Sequence, residues 1–170
     1  MLFCAWCTPV IGLYATPFSS NATYQVCFTP KGQCTQEIVE AINQAQSSIY
    51  VQAYSFTSMP IAKALIDKAQ QGIRVYVLVD KSQSKKNRYT VVPMLQRNNI
   101  PVWIDRKPAI AHNKIIVIDE ERVITGSFNY TKAAQEHNAE NVLLIHDREL
   151  AVRYLTNWEY RKSVSEPAIR

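Results

Sequence analysis

The stretch that decides the fold is Ile49–Asp80, IYVQAYSFTSMPIAKALIDKAQQGIRVYVLVD. Ile49 to Tyr54 is rich in β-branched and aromatic residues and reads as a strand. Ser58 then stands where a helix cap is expected, and Met59 and Pro60 open the helix, since proline is tolerated in a first turn. Gly72 ends that helix. From Ile73 to Val79 the residues Ile73, Val75, Val77, Leu78 and Val79 leave little polar face, which predicts a strand buried on both sides in mid-sheet. Strand, helix and buried strand in succession are the pattern of α/β packing.

The same alternation continues on both sides. Upstream, a strand is expected at Tyr24 to Phe28, then a helix from about Thr35 to Gln46 with Ile38, Val39 and Ile42 on one face, ended by Ser47 and Ser48. Downstream, a basic loop from Asp80 to Arg88 leaves the carboxyl end of the buried strand, where open α/β sheets bind ligands. A helix near Thr90 to Asn98 and a strand near Ile100 to Ile104 follow. Lys114 to Asp119 and Arg122 to Thr125 form a hairpin around Glu120 and Glu121. A helix opening near Thr131, a strand from Asn141 to Ile145 and a helix from Glu149 to Arg161 complete the pattern. No internal repeat or linker interrupts it. A chain of 170 residues with 47% apolar content fits one domain with one well-packed core. The expected architecture is an α-β-α sandwich with a mixed central sheet.

The first 22 residues carry no charged side chain, and they begin with an apolar run from Leu2 to Ala15. They read as a signal peptide, with Ser20 and Ala22 as the small residues before a cleavage that leaves Thr23 first. Residues 23–170 are then one catalytic domain, periplasmic or secreted. The alternatives are an uncleaved leader acting as a membrane anchor and an upstream extension of a cytosolic protein. Cys4 and Cys7 would leave with the leader. Cys27 and Cys34 bracket a turn containing Pro30 and Gly32, which suits a small disulfide, or else two small buried hydrophobes.

The net charge is +5 and the isoelectric point about 9.0, a balance that favours a polyanion or an anionic lipid surface. Between Lys81 and Lys107 lie Lys81, Lys85, Lys86, Arg88, Arg97, Arg106 and Lys107, opposed only by Asp105. Lys81, Lys85, Lys86 and Arg88 are the candidate substrate-binding cations. A solvated loop and helix face explains the same residues.

Chemistry concentrates in Ala111–Glu140, AHNKIIVIDEERVITGSFNYTKAAQEHNAE. His112 and Lys114 are two apart, so on an extended backbone both point to one face. An imidazole beside a fixed ammonium suits attack on a phosphodiester, because the cation neutralises the phosphoryl oxygens. Ser127 and Asn129 repeat the spacing after Gly126, ahead of a helix terminus of the kind that attracts anions. Glu140 is a candidate to orient the His112 ring through its second nitrogen. Taken singly, each has a plainer reading: a surface histidine, a solvated lysine, Asp119 as a turn residue, Asn129 as a helix cap. His137 and His146, with no lysine two residues on, take those plain readings. No clustering of His and carboxylates at ligand spacing suggests a metal.

His112-x-Lys114-x4-Asp119-x6-Gly126-Ser127-x-Asn129 resembles the signature of the phospholipase D superfamily, with each of those positions filled. AYSFTS, GIRVYVLVD, GSFNYTKAAQ and the run Asn138-Ala139-Glu140-Asn141 resemble the small bacterial Nuc-type endonucleases, over roughly Cys27 to Trp158. The resemblance implies that His112 acts as nucleophile and as leaving-group acid, that Lys114 and Asn129 bind phosphate, that Ser127 and Glu140 order the His, and that Asp119 is largely structural. Larger relatives carry two motifs. One motif here implies a homodimer with a shared site. It further implies a metal-independent phosphodiesterase without cofactors, with DNA as the favoured substrate, RNA as a secondary one, and little sequence preference. A phospholipase D acting on lipid headgroups is the alternative, and a catalytically silent nucleic-acid-binding protein on the same fold the second.

Overall fold

The structure is a computed structural model that describes residues 15–84 and 89–168. The expectations for Leu2 to Tyr14, including Cys4 and Cys7, and for Lys85, Lys86 and Arg88 lie outside the described residues. The elements run β1 (Thr23–Phe28), α1 (Cys34–Asn43), β2 (Ser48–Ala53), α2 (Met59–Gln70), β3 (Arg74–Asp80), α3 (Val92–Arg97), β4 (Val102–Asp105), β5 (Lys114–Ile118), β6 (Arg122–Gly126), α4 (Lys132–Glu136), β7 (Asn141–His146), α5 (Arg148–Ser163) and β8 (Glu166–Pro167). A short 3-10 turn, Lys81–Gln83, follows β3.

The eight strands form one mixed sheet in the order β1-β7-β6-β5-β2-β3-β4-β8. β2, β3 and β4 are parallel, as the strand–helix–strand reading requires, and the remaining pairs are antiparallel. Alternate residues of each strand supply two cores. Ile49, Val51, Val75, Val77, Ile116 and Ile124 meet Ile38 and Ile42 of α1, Ile61 and Leu65 of α2 and Leu95 of α3 on one face. Tyr50, Leu78, Ile115, Val117 and Val123 meet Ala151 and Trp158 of α5 on the other. The result is the expected α-β-α sandwich. Trp158 is 1% exposed, and its indole N–H donates to the Val51 carbonyl at 2.9 Å, so its truncation to Ala costs about 3–5 kcal/mol.

Several boundaries differ from the sequence expectation for physical reasons. α1 stops at Asn43 rather than Gln46 because the N–H groups of Gln46, Ser47 and Ser48 turn to the Asp119 carboxylate. Ser58 occupies the cap position of α2 without capping through its side chain; its N–H donates instead to the Tyr130 carbonyl at 2.8 Å. α5 runs past Arg161 to Ser163, held by a two-toothed pairing of the Arg161 guanidinium with the fully buried Asp105 carboxylate. β8 has no counterpart in the sequence reading. It is two residues long and contains Pro167, which an edge strand tolerates because one side needs no N–H.

Cys27 and Cys34 are joined as a disulfide with their Cα atoms 5.5 Å apart, tying the end of β1 to the start of α1. Both are buried, at 4% and 0% exposure, and the bond favours the disulfide reading over that of two small buried hydrophobes.

Candidate active site

The register of the sheet assembles the site. Ala53 at the end of β2 is opposite Lys114 at the start of β5, and Gly126 at the end of β6 is opposite Val142 near the start of β7. These termini therefore share one end of the sheet, and it is the carboxyl end of the parallel strands. His112, Lys114, Ser127, Asn129 and Glu140 all lie there. Lys81 lies there too, just beyond β3, with its ammonium donating to the Pro108 carbonyl at 3.3 Å.

His112 precedes β5 rather than forming part of it, and its ring is exposed. Lys114 is only 7% exposed, and its Nζ stands 2.9 Å from Nδ1 and 3.1 Å from Nε2 of His112 while donating to the His112 carbonyl at 2.7 Å. The lysine therefore lies against the imidazole, where its charge can meet the phosphoryl oxygens of a group under attack by the ring. Burial lowers the Lys114 pKa, partly opposed by the nearby Glu140 carboxylate. Tyr54, one residue beyond β2, completes the wall. Its ring lies 4.5 Å from the His112 ring, and Lys114 Nζ stands 5.2 Å from its centroid.

Ser127 and Asn129 project from the segment after β6, while Phe128 and Tyr130 between and beyond them are buried in the core at 1% and 2% exposure. Gly126 has φ +148°, and a Cβ there would stand 2.2 Å from the Asn141 carbonyl oxygen, so β6 and β7 approach closely enough to exclude any side chain. Ser127 Oγ donates to Glu140 Oε2 at 2.5 Å and accepts from the Asn141 N–H at 3.1 Å. The other Glu140 oxygen accepts from Asn138 Nδ2 at 2.9 Å. Glu140 is thus bound to Ser127 and Asn138, not to the His112 ring as the sequence suggested. Within one chain the ring is engaged by Lys114 and Tyr54 instead. Asn129 does not cap α4; Thr131 does, accepting from the Ala134 N–H at 3.1 Å. Asn129 Oδ1 is buried without a hydrogen-bond partner.

Asp119 stands apart from this cluster, past the opposite end of β5, with φ +55°. Its carboxylate accepts from the N–H groups of Gln46, Ser47 and Ser48 and from the Ser47 hydroxyl. Burial alone would raise its pKa, but these donors outweigh that and hold it below the usual carboxylate value. Among the described residues no group of three or more His, Cys, Asp or Glu stands together as a metal site. Sequence reasoning assigned no role to Tyr54 or Asn138. The only signal for Tyr54 was its place at a strand's carboxyl end.

The arrangement presents an exposed imidazole against a buried ammonium, with the Asn129 amide at the same end of the sheet, which is equipment for attack on a phosphorus centre bearing negative oxygens. Residues 38–161 match the family model described as "Cardiolipin synthase, PLD-like domain". A protein named "Phospholipase D" from Rickettsia prowazekii is 46% identical over 155 residues, covering 91% of this chain and 75% of the relative. The human "Mitochondrial cardiolipin hydrolase" is 30% identical over 134 residues, 78% of this chain and 53% of the relative. Among solved structures, Nuc from Salmonella typhimurium, described as a phospholipase D family member, superposes with a TM-score of 0.81 at 34% identity, covering 86% of this chain and 97% of that one. With the motif, the sheet and these likenesses in agreement, the chain belongs to the phospholipase D superfamily and is a phosphodiester hydrolase.

Proposed function

We propose that the chain is a metal-independent endonuclease whose favoured substrate is DNA, with RNA secondary, cut with little sequence preference by a homodimer outside the cytoplasm. The observation that carries this reading is the buried Lys114 ammonium held against the exposed His112 ring. A ring nitrogen of His112 attacks phosphorus, forming an N–P bond as the P–O bond to the leaving nucleotide breaks. The departing oxygen takes a proton from a second imidazole. Water then attacks the phosphohistidine, giving up a proton to that second imidazole and returning His112 free. Lys114 and Asn129 stabilise the charge on the phosphoryl oxygens in both steps, supplying the electrostatics that a divalent cation provides elsewhere.

Nucleophile and acid cannot be the same ring in one step. The chain has one motif, so the second imidazole is His112 of a second copy. The apolar strip on edge strand β1, where Tyr24, Val26 and Phe28 are 75%, 44% and 61% exposed, offers surface for such an association, and Phe28 lies at the site end of the sheet. Export is supported by the disulfide and by the uncharged leader, residues 1–22, whose retention would instead anchor the enzyme. Nucleic acid is favoured over lipid by the small size of the chain and by the cations that continue from Lys81 into Lys85, Lys86 and Arg88, with Tyr89 beside them as a stacking surface. Phosphate contacts carry no base information, hence the low sequence preference. A phospholipid headgroup is the second reading, favoured by the names of the Rickettsia and human relatives.

The test offers purified protein plasmid, single-stranded DNA, RNA and phosphatidylcholine vesicles side by side, with and without EDTA. Cleavage of nucleic acid that persists in EDTA and weakens steeply with salt is expected. Headgroup release alone would establish the second reading, and activity abolished by EDTA and restored by magnesium would end the metal-independent one.

A further inference from the structure

His112 lies in a stretch, residues 106–113, that belongs to no strand, so ladder hydrogen bonds do not fix its height above the sheet. Two tethers flank it. On one side the Asn113 carbonyl accepts from the Tyr54 N–H at 2.9 Å. On the other, the Ala111 N–H donates to Asp80 Oδ2 at 2.7 Å. Asp80 is the last residue of β3, 3% exposed, and its other oxygen accepts from the Ser82 N–H at 2.8 Å. The carboxylate therefore joins a rigid interior strand to the residue directly before the nucleophile, across 31 positions of sequence. Three residues on, Gln83, 2% exposed, accepts from the Phe56 N–H at 3.2 Å, and Phe56 is bridged to Tyr130, the neighbour of Asn129.

We infer that Asp80 is a positioning residue for the hydrolytic reaction: its buried carboxylate, through the Ala111 N–H, sets where the His112 ring stands relative to Lys114 and the scissile phosphate. A hydrogen bond to an ionised acceptor is short and stiff, and a buried one meets no competing water. Replacing it frees the 106–113 stretch on one side while leaving the phosphate-binding groups in place. The loss therefore falls on the chemical step and not on substrate binding.

The inference rests on His112 being the nucleophile, and the experiment separates the two ideas. Asp80→Ala and Asp80→Asn are assayed with bis(p-nitrophenyl) phosphate beside His112→Ala, with Tm recorded for each. Asp80→Ala is expected to lower kcat on the order of 10- to 100-fold with KM within about twofold, the cost of a ~1 Å misplacement. Asp80→Asn keeps one acceptor oxygen and recovers part of that loss. In wild-type protein the Ala111 N–H is expected to resist hydrogen exchange despite lying outside any strand. Folded Asp80 variants with wild-type kcat, or a fall in kcat matched by a rise in KM, would overturn the inference. A freely exchanging Ala111 N–H would also overturn it, and that measurement decides the matter if Asp80→Ala does not fold. His112→Ala retaining turnover would instead overturn the assignment of the nucleophile.

Discussion

At one end β5 runs into Asp119, whose carboxylate gathers three backbone N–H groups, a hydroxyl and the Arg122 guanidinium. At the other it begins with Lys114, an ammonium with no carboxylate at ion-pair distance among the described residues, bonded to the ring and carbonyl of His112. Both residues have lowered pKa values, for opposite reasons. The Asp119 anion is stabilised by donors that outweigh its burial, whereas the Lys114 cation is destabilised by burial itself. The far end is a joint that the chain completes with its own groups. The near end retains a buried cation beside an exposed imidazole, and charge left unbalanced in that way marks where an anionic ligand finishes the network.

The largest effect that sharpens this contrast is at His112. His112→Ala should lower turnover at least ~10³-fold with Tm almost unchanged, because an exposed ring contributes little packing. Refolded mixtures with wild-type protein should show activity following the square of the wild-type fraction; a linear fall would mean that each chain works alone. Next comes Lys114→Met, expected to cost roughly 10²–10³-fold in kcat. In the wild type the alkaline limb of activity should sit below the ordinary lysine range. Stability moves the other way in that window. The unfolded lysine binds more protons than the folded one, so stability rises with pH while activity falls. A pH–rate profile and a pH–Tm series measure the two.

The smallest effect on catalysis is expected at Asp119. Asp119→Ala should cost about 1–3 kcal/mol of stability by removing the charged acceptor of three backbone N–H groups, of which that of Ser48 is shielded from water, with kcat of the folded protein within about twofold. Its folded pKa is depressed, so its contribution is present above the unfolded carboxylate value and is lost as pH falls through the folded one. A kcat that collapsed with Asp119→Ala at unchanged Tm would break the division between the two ends.

What was legible in sequence was local. The Ile49–Val79 unit was readable because its strand and helix periods are set by neighbours in the chain, and His112, Lys114, Ser127 and Asn129 because a hairpin at fixed spacing brings them to one edge. What escaped depends on distant partners. The early end of α1 is decided by Asp119, and the extension of α5 by Asp105. Tyr54 reaches the site through the β2–β5 register, which no local pattern encodes. The destination of Glu140 lay between Ser127 and His112, two chemically acceptable partners that no local pattern ranks.

Gly126 and Gly72 both have positive φ, +148° and +88°, but Gly72 has nothing within 4 Å of where a Cβ would stand, whereas Gly126 meets the Asn141 carbonyl at 2.2 Å. In a saturation library the two positions should part company. Asparagine and aspartate, which tolerate left-handed backbone, survive at 72. At 126 even alanine must push β7 away, and Glu140 and Asn141 move with it. The catalytic constellation is therefore written partly in the absence of a single methyl group.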